Sequence, residues 1–472
     1  MVSVNELIRN YSKAVREGYA AVFAGAGLSR ASGFVDWKTL LKPLARDIGL
    51  NIEKEDDLLA VAQYHRNERG TRASINQAIV ETFNNGTEDN ENINILTRLP
   101  INTYWTTNYD QLLENGLRCN NRKVEVKIDK DQLAITLPNR DAVLYKMHGD
   151  VERPADAVLT KDDYERYDIK RPLFRTALQG DLISKTFLFV GFSFEDPNLD
   201  YILSRIHTLL DENKRDHYCF FKRVQREQDE SEEDFVYRKI KQDLREKDLR
   251  RYGIQAVFVN KYEEITDILR DIEIAVYKNN IFISGSAEQL DSPWNKEDTE
   301  SFAYHLAREL VKRNYKITTG FGLGIGSSII NGALNEIYAT KYKHIDEYLC
   351  LRPFPQGIID LNERKALFTK YRQEMLAQVG IAIFMFGNKE KGGRIINADG
   401  CWEEYEIAKS LGKIIIPLGS TGYAAKEILE DIKKNINDFS YLKDYVSDLE
   451  SIVNPKDLVN LIVKIVDSVK EY

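Results

Sequence analysis

The sequence predicts an α/β protein made of two Rossmann-like domains, each built around a parallel sheet. Short apolar runs, typical of buried parallel strands, alternate along the chain with longer segments of helical periodicity. Several of these runs end in glycine or polar residues that lead into a helix, as at the ligand-binding edge of an open α/β sheet. The 472 residues exceed what one core usually holds, and the alternation restarts near residue 280, so we predict domains at 1–278 and 279–472.

The composition is that of an ordinary globular protein and argues against several functional classes. The net charge of −8 disfavours a general nucleic-acid binder. The 4 cysteines lie far apart and form no C-x-x-C pair, so neither a zinc ribbon nor a disulfide framework is expected. No signal peptide opens the chain, and no apolar run approaches the ~20 residues of a membrane span. We therefore expect a cytoplasmic protein without a metal, a membrane or a nucleic acid among its ligands.

The first polar turn, Gly25-Ala26-Gly27, follows the apolar run Ala20–Ala24 and precedes a helix expected from Trp37 to Ile48. Glycines leave no side chain between the backbone and a ligand, so this turn can present amide hydrogens to a phosphate. The alternative is that the glycines serve the tight turn alone.

A second turn follows the strand expected at residues 104–106 and carries Asn108 and Asp110. The Asn108 amide can both donate and accept hydrogen bonds, which suits a ribose hydroxyl or an ordered water. Either residue can instead cap the helix expected at 111–117.

Two more turns end apolar runs. His148 follows the run that begins at Ala142, and an imidazole there can take a proton from water or a sugar hydroxyl, although a structural role is the alternative. Gly191 and Ser193 follow the strand expected at 187–190 and can approach a ribose-phosphate, unless the turn only joins a strand to a helix. The residues between these turns are expected to form helices near 4–16, 56–69 and 72–83, a loop over 84–94, and a charged, solvated helical segment over 225–251.

In the second half, the strand at Lys316–Thr319 leads into the glycine turn Gly320–Gly326 and a helix. Further strands are expected near 281–283, 347–351, 380–386 and 413–416, with helices near 297–313, 363–377, 402–411, 424–435 and 455–470. A charged set accompanies the strand ends, namely Arg352, Arg372, Lys389 and Glu404. Arginine and lysine suit phosphate and glutamate suits a ribose hydroxyl, but each can equally form a surface ion pair.

The four turns of the first half together resemble the NAD-binding motifs of the sirtuin family. The matching stretches are Gly25–Ser29 with Ser32-Gly33, Thr107–Asp110, His148–Asp150 and Gly191–Ser193. The resemblance implies NAD+ as the substrate, with His148 and Asn108 catalytic. It also implies an NAD-binding set made of Ala24, Gly25, Ala26, Ser29, Asp110, Gly191 and Ser193. Two departures count against acyl-peptide chemistry: the cysteines of the family's zinc module are missing, and Asp36-Trp37-Lys38 replaces its usual Asp-Phe-Arg.

The second half resembles SLOG domains, which are relatives of nucleotide-processing Rossmann folds. The resemblance rests on Ser284–Ser286, the turn Gly320–Gly326 and the helix start Gly400–Glu404. Enzymatic relatives carry a glycine-rich P-G-G-x-G-T-x-x-E stretch, from which residues 397–404 depart heavily. This departure favours ligand sensing over catalysis.

A sirtuin-like half followed by a SLOG half resembles the effectors of Thoeris anti-phage defence over essentially the whole chain. The resemblance implies an NAD+ hydrolase that is switched on by a cyclic ADP-ribose isomer, and homo-oligomers that are tetramers or filaments. It places the signal-binding residues at Gly285, Ser286, Leu323, Arg372, Lys389 and Glu404. The alternatives are an NAD-dependent protein deacylase, a non-enzymatic nucleotide-binding regulator and, for the second half, a nucleoside N-glycosidase.

Overall fold

A computed structural model describes residues 2–30, 32–34, 37–83, 89–194, 196–210 and 214–470. The chain divides into two compact units, Met1–Glu273 and Ile274–Tyr472. Each unit contains a parallel sheet with helices between its strands, so the predicted fold class is confirmed.

The first unit contains a seven-stranded sheet. Its strands are β1 (Ala20–Ala24), β2 (Thr103–Thr106), β3 (Val124–Lys127), β4 (Ala142–Lys146), β5 (Thr186–Val190), β6 (His217–Lys222) and β7 (Ile254–Val259). The order across the sheet is β3-β4-β2-β1-β5-β6-β7, and all neighbours are parallel. The chain first builds outward from β1 on the β2 side and later on the β5 side. The topological switch therefore lies between β1 and β5, where open α/β sheets bind ligands.

The strands at this switch are the most apolar part of the unit. Every residue of β1 and β5 is buried, because helices cover both faces of the sheet. The α-helices are Val4–Arg16, Ala26–Arg30, Trp37–Asp47, Leu58–Arg69, Ala73–Phe83, Glu91–Arg98, Leu112–Cys119, Lys130–Leu133, Lys161–Glu165, Tyr167–Lys170, Pro172–Ser184, Pro197–Leu210, Glu232–Arg251 and Glu264–Tyr277. Side-chain caps begin several of them, for example Ser3 and Ser231, whose hydroxyls accept the backbone amides of Glu6 and Asp234.

Two local predictions for this unit are wrong. The loop expected over residues 84–94 contains the start of the helix Glu91–Arg98, which Asn90 caps; its residues 84–88 lie outside the described part of the chain. The glycine turn after β1 also passes directly into the five-residue helix Ala26–Arg30, so Gly27 is helical. A short polar stretch next to a capping residue does not by itself distinguish a loop from a helix start.

The second unit contains a five-stranded parallel sheet of order β10-β9-β8-β11-β14. Its strands are β8 (Asn280–Ser284), β9 (Lys316–Thr319), β10 (Leu349–Leu351), β11 (Ile381–Met385) and β14 (Ile414–Leu418). An antiparallel hairpin, β12 (Asn388–Lys391) with β13 (Arg394–Asn397), follows β11 and was not predicted. The switch point of this sheet lies between β8 and β11.

The α-helices of the second unit are Lys296–Lys312, Gly326–Tyr338, Ile345–Tyr348, Leu361–Ala377, Asp399–Ser410, Tyr423–Lys434, Val446–Ser451 and Pro455–Lys470. The strand expected at 347–351 is shorter than predicted, because residues 345–348 form a helical turn. Among the described residues of both units, no helix is long and apolar enough to cross a membrane.

Candidate functional site

The four turns predicted to bind NAD+ follow four adjacent strands. In the order β4-β2-β1-β5, these strands lead into His148, Asn108, Gly25 and Gly191 respectively. Because the strands are parallel, all four turns lie at the same edge of the sheet. The structure therefore brings the predicted site residues to one place, at the topological switch.

Asn108 joins the turns after β1 and β2. Its Nδ2 donates to the carbonyl oxygen of Gly25 at 3.1 Å and to Oγ of Ser29 at 2.8 Å. Oγ of Ser29 in turn donates to Oδ2 of Asp110 at 2.7 Å. Both hydrogens of the Asn108 amide are thus used, and among the described residues nothing donates to its Oδ1. That oxygen can accept a hydrogen bond from a water or a ribose hydroxyl.

Asp110 lies one residue before Gln111, the N-cap of the next helix, and also bonds to that helix start. Its Oδ1 accepts the backbone amide of Leu112, the first residue of the next helix, at 3.1 Å. Ala24 ends β1, and its carbonyl oxygen accepts the Thr106 hydroxyl at 3.0 Å. Both residues therefore fix the shape of this edge through contacts within the fold.

The glycines after β1 and β5 allow these two turns to touch. The amide of Gly25 donates to the carbonyl oxygen of Val190 at 2.9 Å, and that of Gly27 to the carbonyl oxygen of Gly191 at 2.8 Å. Gly191 has φ +66°, and a Cβ there would lie 2.0 Å from the amide nitrogen of Leu28. Close packing of the turns accounts for these glycines, and in this conformation the amide hydrogens of Gly25 and Gly27 are not available to a phosphate.

His148 is buried beside Asp196, the residue that precedes the helix Pro197–Leu210. The His148 side chain is 0% exposed, and its Nε2 lies 3.0 Å from Oδ2 of Asp196. The two side chains are in close contact without hydrogen-bond geometry, since neither ring nitrogen has a hydrogen-bond partner among the described residues. The hydroxyl of Tyr164 donates to the same carboxylate oxygen at 3.2 Å, and burial together with the Asp196 charge raises the pKa of Tyr164.

Asp196 also caps the start of the helix Pro197–Leu210. Its Oδ1 accepts the amide of Leu199 at 3.2 Å, leaving Oδ2 for His148 and Tyr164. In sequence, an aspartate before a proline looks like an ordinary helix start, so nothing in the sequence indicated the contact between Asp196 and His148.

A buried lysine at the end of β4 was also missed. Nζ of Lys146 lies 3.0 Å from Oε1 of Glu114, contacts Asp150, and donates to the carbonyl oxygen of Asp110 at 2.6 Å. It thereby ties the turn after β2 to the turn that carries His148. Burial raises the pKa of Glu114, against the opposing charge of Lys146. A lysine inside an apolar strand run was the available signal.

Gly191 and Ser193 are exposed, and Arg245 of the helix Glu232–Arg251 donates to the carbonyl oxygen of Ser193. Trp37 approaches His148, with ring centres 6.5 Å apart. Asp36, the neighbouring departure from the sirtuin pattern, lies outside the described residues.

In the second unit, Gly285 and Ser286 follow β8 and Leu323 follows β9, whereas Arg372 and Glu404 lie on the helices Leu361–Ala377 and Asp399–Ser410. Oγ of Ser286 donates to the carbonyl oxygen of Asn388 at 2.6 Å, and the amide of Ala287 to that of Leu323 at 2.8 Å. A Cβ on Gly285 would lie 2.1 Å from the carbonyl oxygen of Met385. The turns after β8, β9 and β11 are therefore held together, with the Leu323 side chain 64% exposed.

Arg372 and Glu404 form the charged centre of this edge. Nε of Arg372 donates to Oε1 of Glu404 at 3.3 Å, and Nη1 to Oε2 of Glu403 at 2.8 Å. Oγ of Ser284 donates to Oε2 of Glu404 at 2.6 Å. Burial raises the pKa of Glu404, and the charge of Arg372 opposes this rise. The guanidinium also lies 4.8 Å from the ring centre of Phe354.

Lys389 lies on β12 and pairs with Asp399, the first residue of the helix that carries Glu404. Burial alone would raise the pKa of Asp399, but the hydrogen bond from Lys389 holds that pKa below its usual value. The side chain of Arg352 is half-buried and has no ion pair or hydrogen bond within the described residues. Arg372, on a helix, and Lys389, on β12, are thus each paired with a carboxylate, and only Arg352 of the three predicted cations directly follows a strand of the parallel sheet.

A cavity of about 610 Å³ in the second unit is lined by Asn397, Trp402, Tyr423 and charged residues of the helix Tyr423–Lys434. It does not include Arg372 or Lys389, so we place the candidate site by the charged side chains and the strand ends. Among the described residues, no group of three or more histidine, cysteine, aspartate or glutamate side chains could hold a metal ion.

Two family models match successive parts of the chain. A family model for the SIR2-like domain matches residues 102–249, which include Asn108, His148 and Gly191. A model for the Sir2- and TIR-associating SLOG family matches residues 264–469, which include all the predicted signal residues.

Curated relatives match nearly the whole chain. The NAD(+) hydrolase ThsA of Bacillus cereus (strain MSX-D12) is 44% identical over 471 residues, covering 98% of each chain. That of Cytobacillus dafuensis is 45% identical over 478 residues, covering 98% of this chain and 96% of its own. The Defense-associated sirtuin 2 of Bacillus subtilis is more distant, at 26% identity over 216 residues, 44% of this chain and 21% of its own.

Proposed function

This chain belongs to the family of ThsA NAD(+) hydrolases, the effectors of Thoeris defence, and we propose that a nucleotide signal controls its hydrolase activity. NAD+ is its substrate. In the proposal, residues 1–278 cleave NAD+ to ADP-ribose and nicotinamide, and residues 279–472 bind the signal.

Cleavage breaks the bond between nicotinamide and ribose and adds water to the ribose carbon. The carbon becomes oxocarbenium-like as nicotinamide leaves, and the water gives up a proton when it adds. Oδ1 of Asn108 orients the water or a ribose hydroxyl, and His148 takes the proton. The single observation that carries this assignment is that Asn108 and His148 end adjacent parallel strands, with Asn108 bonded to the glycine turn of β1.

The buried state of His148 supports a requirement for activation. A substrate cannot reach an imidazole that is 0% exposed and has a carboxylate 3.0 Å from Nε2. The turn that carries Asp196 must therefore move before His148 meets NAD+. A ligand produces such a change only if it binds the open state more tightly than the closed one.

The signal is a cyclic ADP-ribose isomer bound at the charged edge of the second sheet. Its phosphates would attract Arg372 and Lys389, which now pair with carboxylates, and its ribose hydroxyls would donate to Glu404. Gly285, Ser286 and Leu323 would line the same site. The active protein is a homo-oligomer, either a tetramer or a filament, which acts in the cytoplasm and depletes NAD+ during phage infection.

NAD+ turnover measured with and without a panel of cyclic ADP-ribose isomers tests this proposal. We expect free nicotinamide to appear strongly with one isomer and weakly without it. Equal turnover with every isomer and with none would contradict control by such a signal. Incubation with an acetyl-lysine peptide serves as a control and should yield no deacetylated product.

A further inference from the structure

The helix Glu232–Arg251 carries an apolar stripe on the face that points away from its own unit. The stripe consists of Val236, Tyr237, Ile240 and Leu244, whose side chains are 42%, 65%, 52% and 60% exposed. Val236, Ile240 and Leu244 are spaced by four residues and so share one side of the helix. The inward face is occupied by other residues, such as the buried Leu249.

Two charged residues extend the stripe at its ends. Glu233 precedes it by one turn on the same side of the helix, and Lys247 follows it by one turn. Neither side chain has an ion pair or hydrogen bond within the described residues. The stripe is thus flanked by an unpaired negative charge at its start and an unpaired positive charge at its end.

We propose that this stripe is the contact between two copies of the chain, packed antiparallel about a two-fold axis at Ile240. In that arrangement Val236 of one copy faces Leu244 of the other, and Glu233 faces Lys247 at both ends. A parallel pairing would instead place Glu233 of one copy against Glu233 of the other, and Lys247 against Lys247. Both contacts would be repulsive. The positions of Glu233 and Lys247 therefore fit a second copy in the antiparallel orientation, an isologous contact of the kind most homo-oligomers use.

The same helix contacts the active-site edge from its other side. Arg245 donates to the carbonyl oxygen of Ser193, in the turn between β5 and the helix that Asp196 begins. The inference rests on the homo-oligomer of the proposed function, but not on the chemistry of its site. Its failure would appear in the mass of the assembly, whereas failure of the proposed hydrolase would appear in nicotinamide release.

Charge reversal in the full-length protein tests the pairing. Glu233→Lys and Lys247→Glu should each lower the mass of the assembly by a factor of about two, measured by sedimentation or mass photometry. The double variant Glu233→Lys/Lys247→Glu should restore the original mass, because the opposite charges again face each other. Lys42→Glu, a matched change at an exposed lysine of the helix Trp37–Asp47, should leave the mass unchanged.

Ile240→Asp provides an independent variant, since it places two carboxylates against each other at the proposed axis. It should dissociate the contact without unfolding the chain, which circular dichroism checks, because Ile240 is exposed. An unchanged mass in Ile240→Asp and in both charge reversals would overturn the proposal and show that something other than a second copy covers the stripe. Failure of the double variant to regain the original mass would equally overturn the antiparallel register.

Discussion

Oδ2 of Asp196 lies 3.0 Å from Nε2 of the fully buried His148. The carboxylate thus stands where a substrate or water would have to approach that ring nitrogen. The same aspartate begins the helix Pro197–Leu210, so movement of this helix start and exposure of His148 are coupled.

Removing the charge of Asp196 should favour the open state. We predict that Asp196→Asn raises nicotinamide release in the absence of signal by about tenfold, the effect of ~1.4 kcal/mol on the closed state. Tyr164→Phe, which removes only the hydroxyl hydrogen bond to Asp196, should change it much less. Lower turnover in Asp196→Asn, both with and without signal, would mean instead that the carboxylate supports catalysis.

Asn108 should act on the chemical step. Asn108→Ala removes both the free Oδ1 and the hydrogen bonds to Gly25 and Ser29, so we expect kcat to fall by about a hundredfold or more. Ser29→Ala keeps Asn108 and its hydrogen bond to Gly25, so kcat should fall less in this variant. Equal effects on kcat from the two variants would assign the loss to the network and not to Asn108.

Lys146 should stabilise the first unit. Lys146→Met leaves Glu114 and Asp150 buried without their cation, which should cost about 3–5 kcal/mol and lower the temperature of the first thermal transition. Lys130→Met, at an exposed lysine, should shift it by less than about 0.5 kcal/mol.

The destabilisation by Lys146→Met should shrink at lower pH. Burial raises the pKa of Glu114, so the native state binds this proton more tightly than the unfolded state and gains stability as pH falls. Without Lys146 this effect should be larger. Scans between about pH 7 and about pH 5 should therefore show the variant approaching the wild type, and a constant gap would contradict the role of Glu114.

Arg372 should be needed for the response to signal. Loss of charged hydrogen bonds to phosphate should weaken binding of the activating isomer by about 10- to 100-fold in Arg372→Ala, measured by calorimetry. Arg364→Ala, an exposed arginine of the same helix, should bind and respond like the wild type. Unchanged affinity in Arg372→Ala would place the signal site elsewhere.

The strands and their polar ends were predictable because parallel strands are buried on both faces and appear as continuous apolar runs. β1 and β5 follow this pattern from end to end. The hairpin of β12 and β13 was not predictable on that basis, since Lys389 and its neighbours are polar and the hairpin belongs to neither parallel sheet.

The contacts within the site were less accessible to sequence reasoning. Gly25 and Gly191 were expected to approach a ligand. In the structure the turn after β1 packs against the turn after β5, and a Cβ at either glycine would clash with the opposite turn. This packing is set by strand order. The approach of Asp196 to His148 likewise depends on the sheet order, in which β2 and β1 lie between β4 and β5. Such relationships depend on topology and leave no local pattern in the chain.

Nicotinamide release from NAD+ by the full-length His148→Ala and His148→Gln variants, in the presence of the isomer that activates the wild type, tests the central claim most directly. Both variants should fold and bind the isomer as the wild type does, and both should release nicotinamide at least about 10²-fold more slowly. Wild-type release by either folded variant would contradict the assignment of His148 as the group that takes the proton.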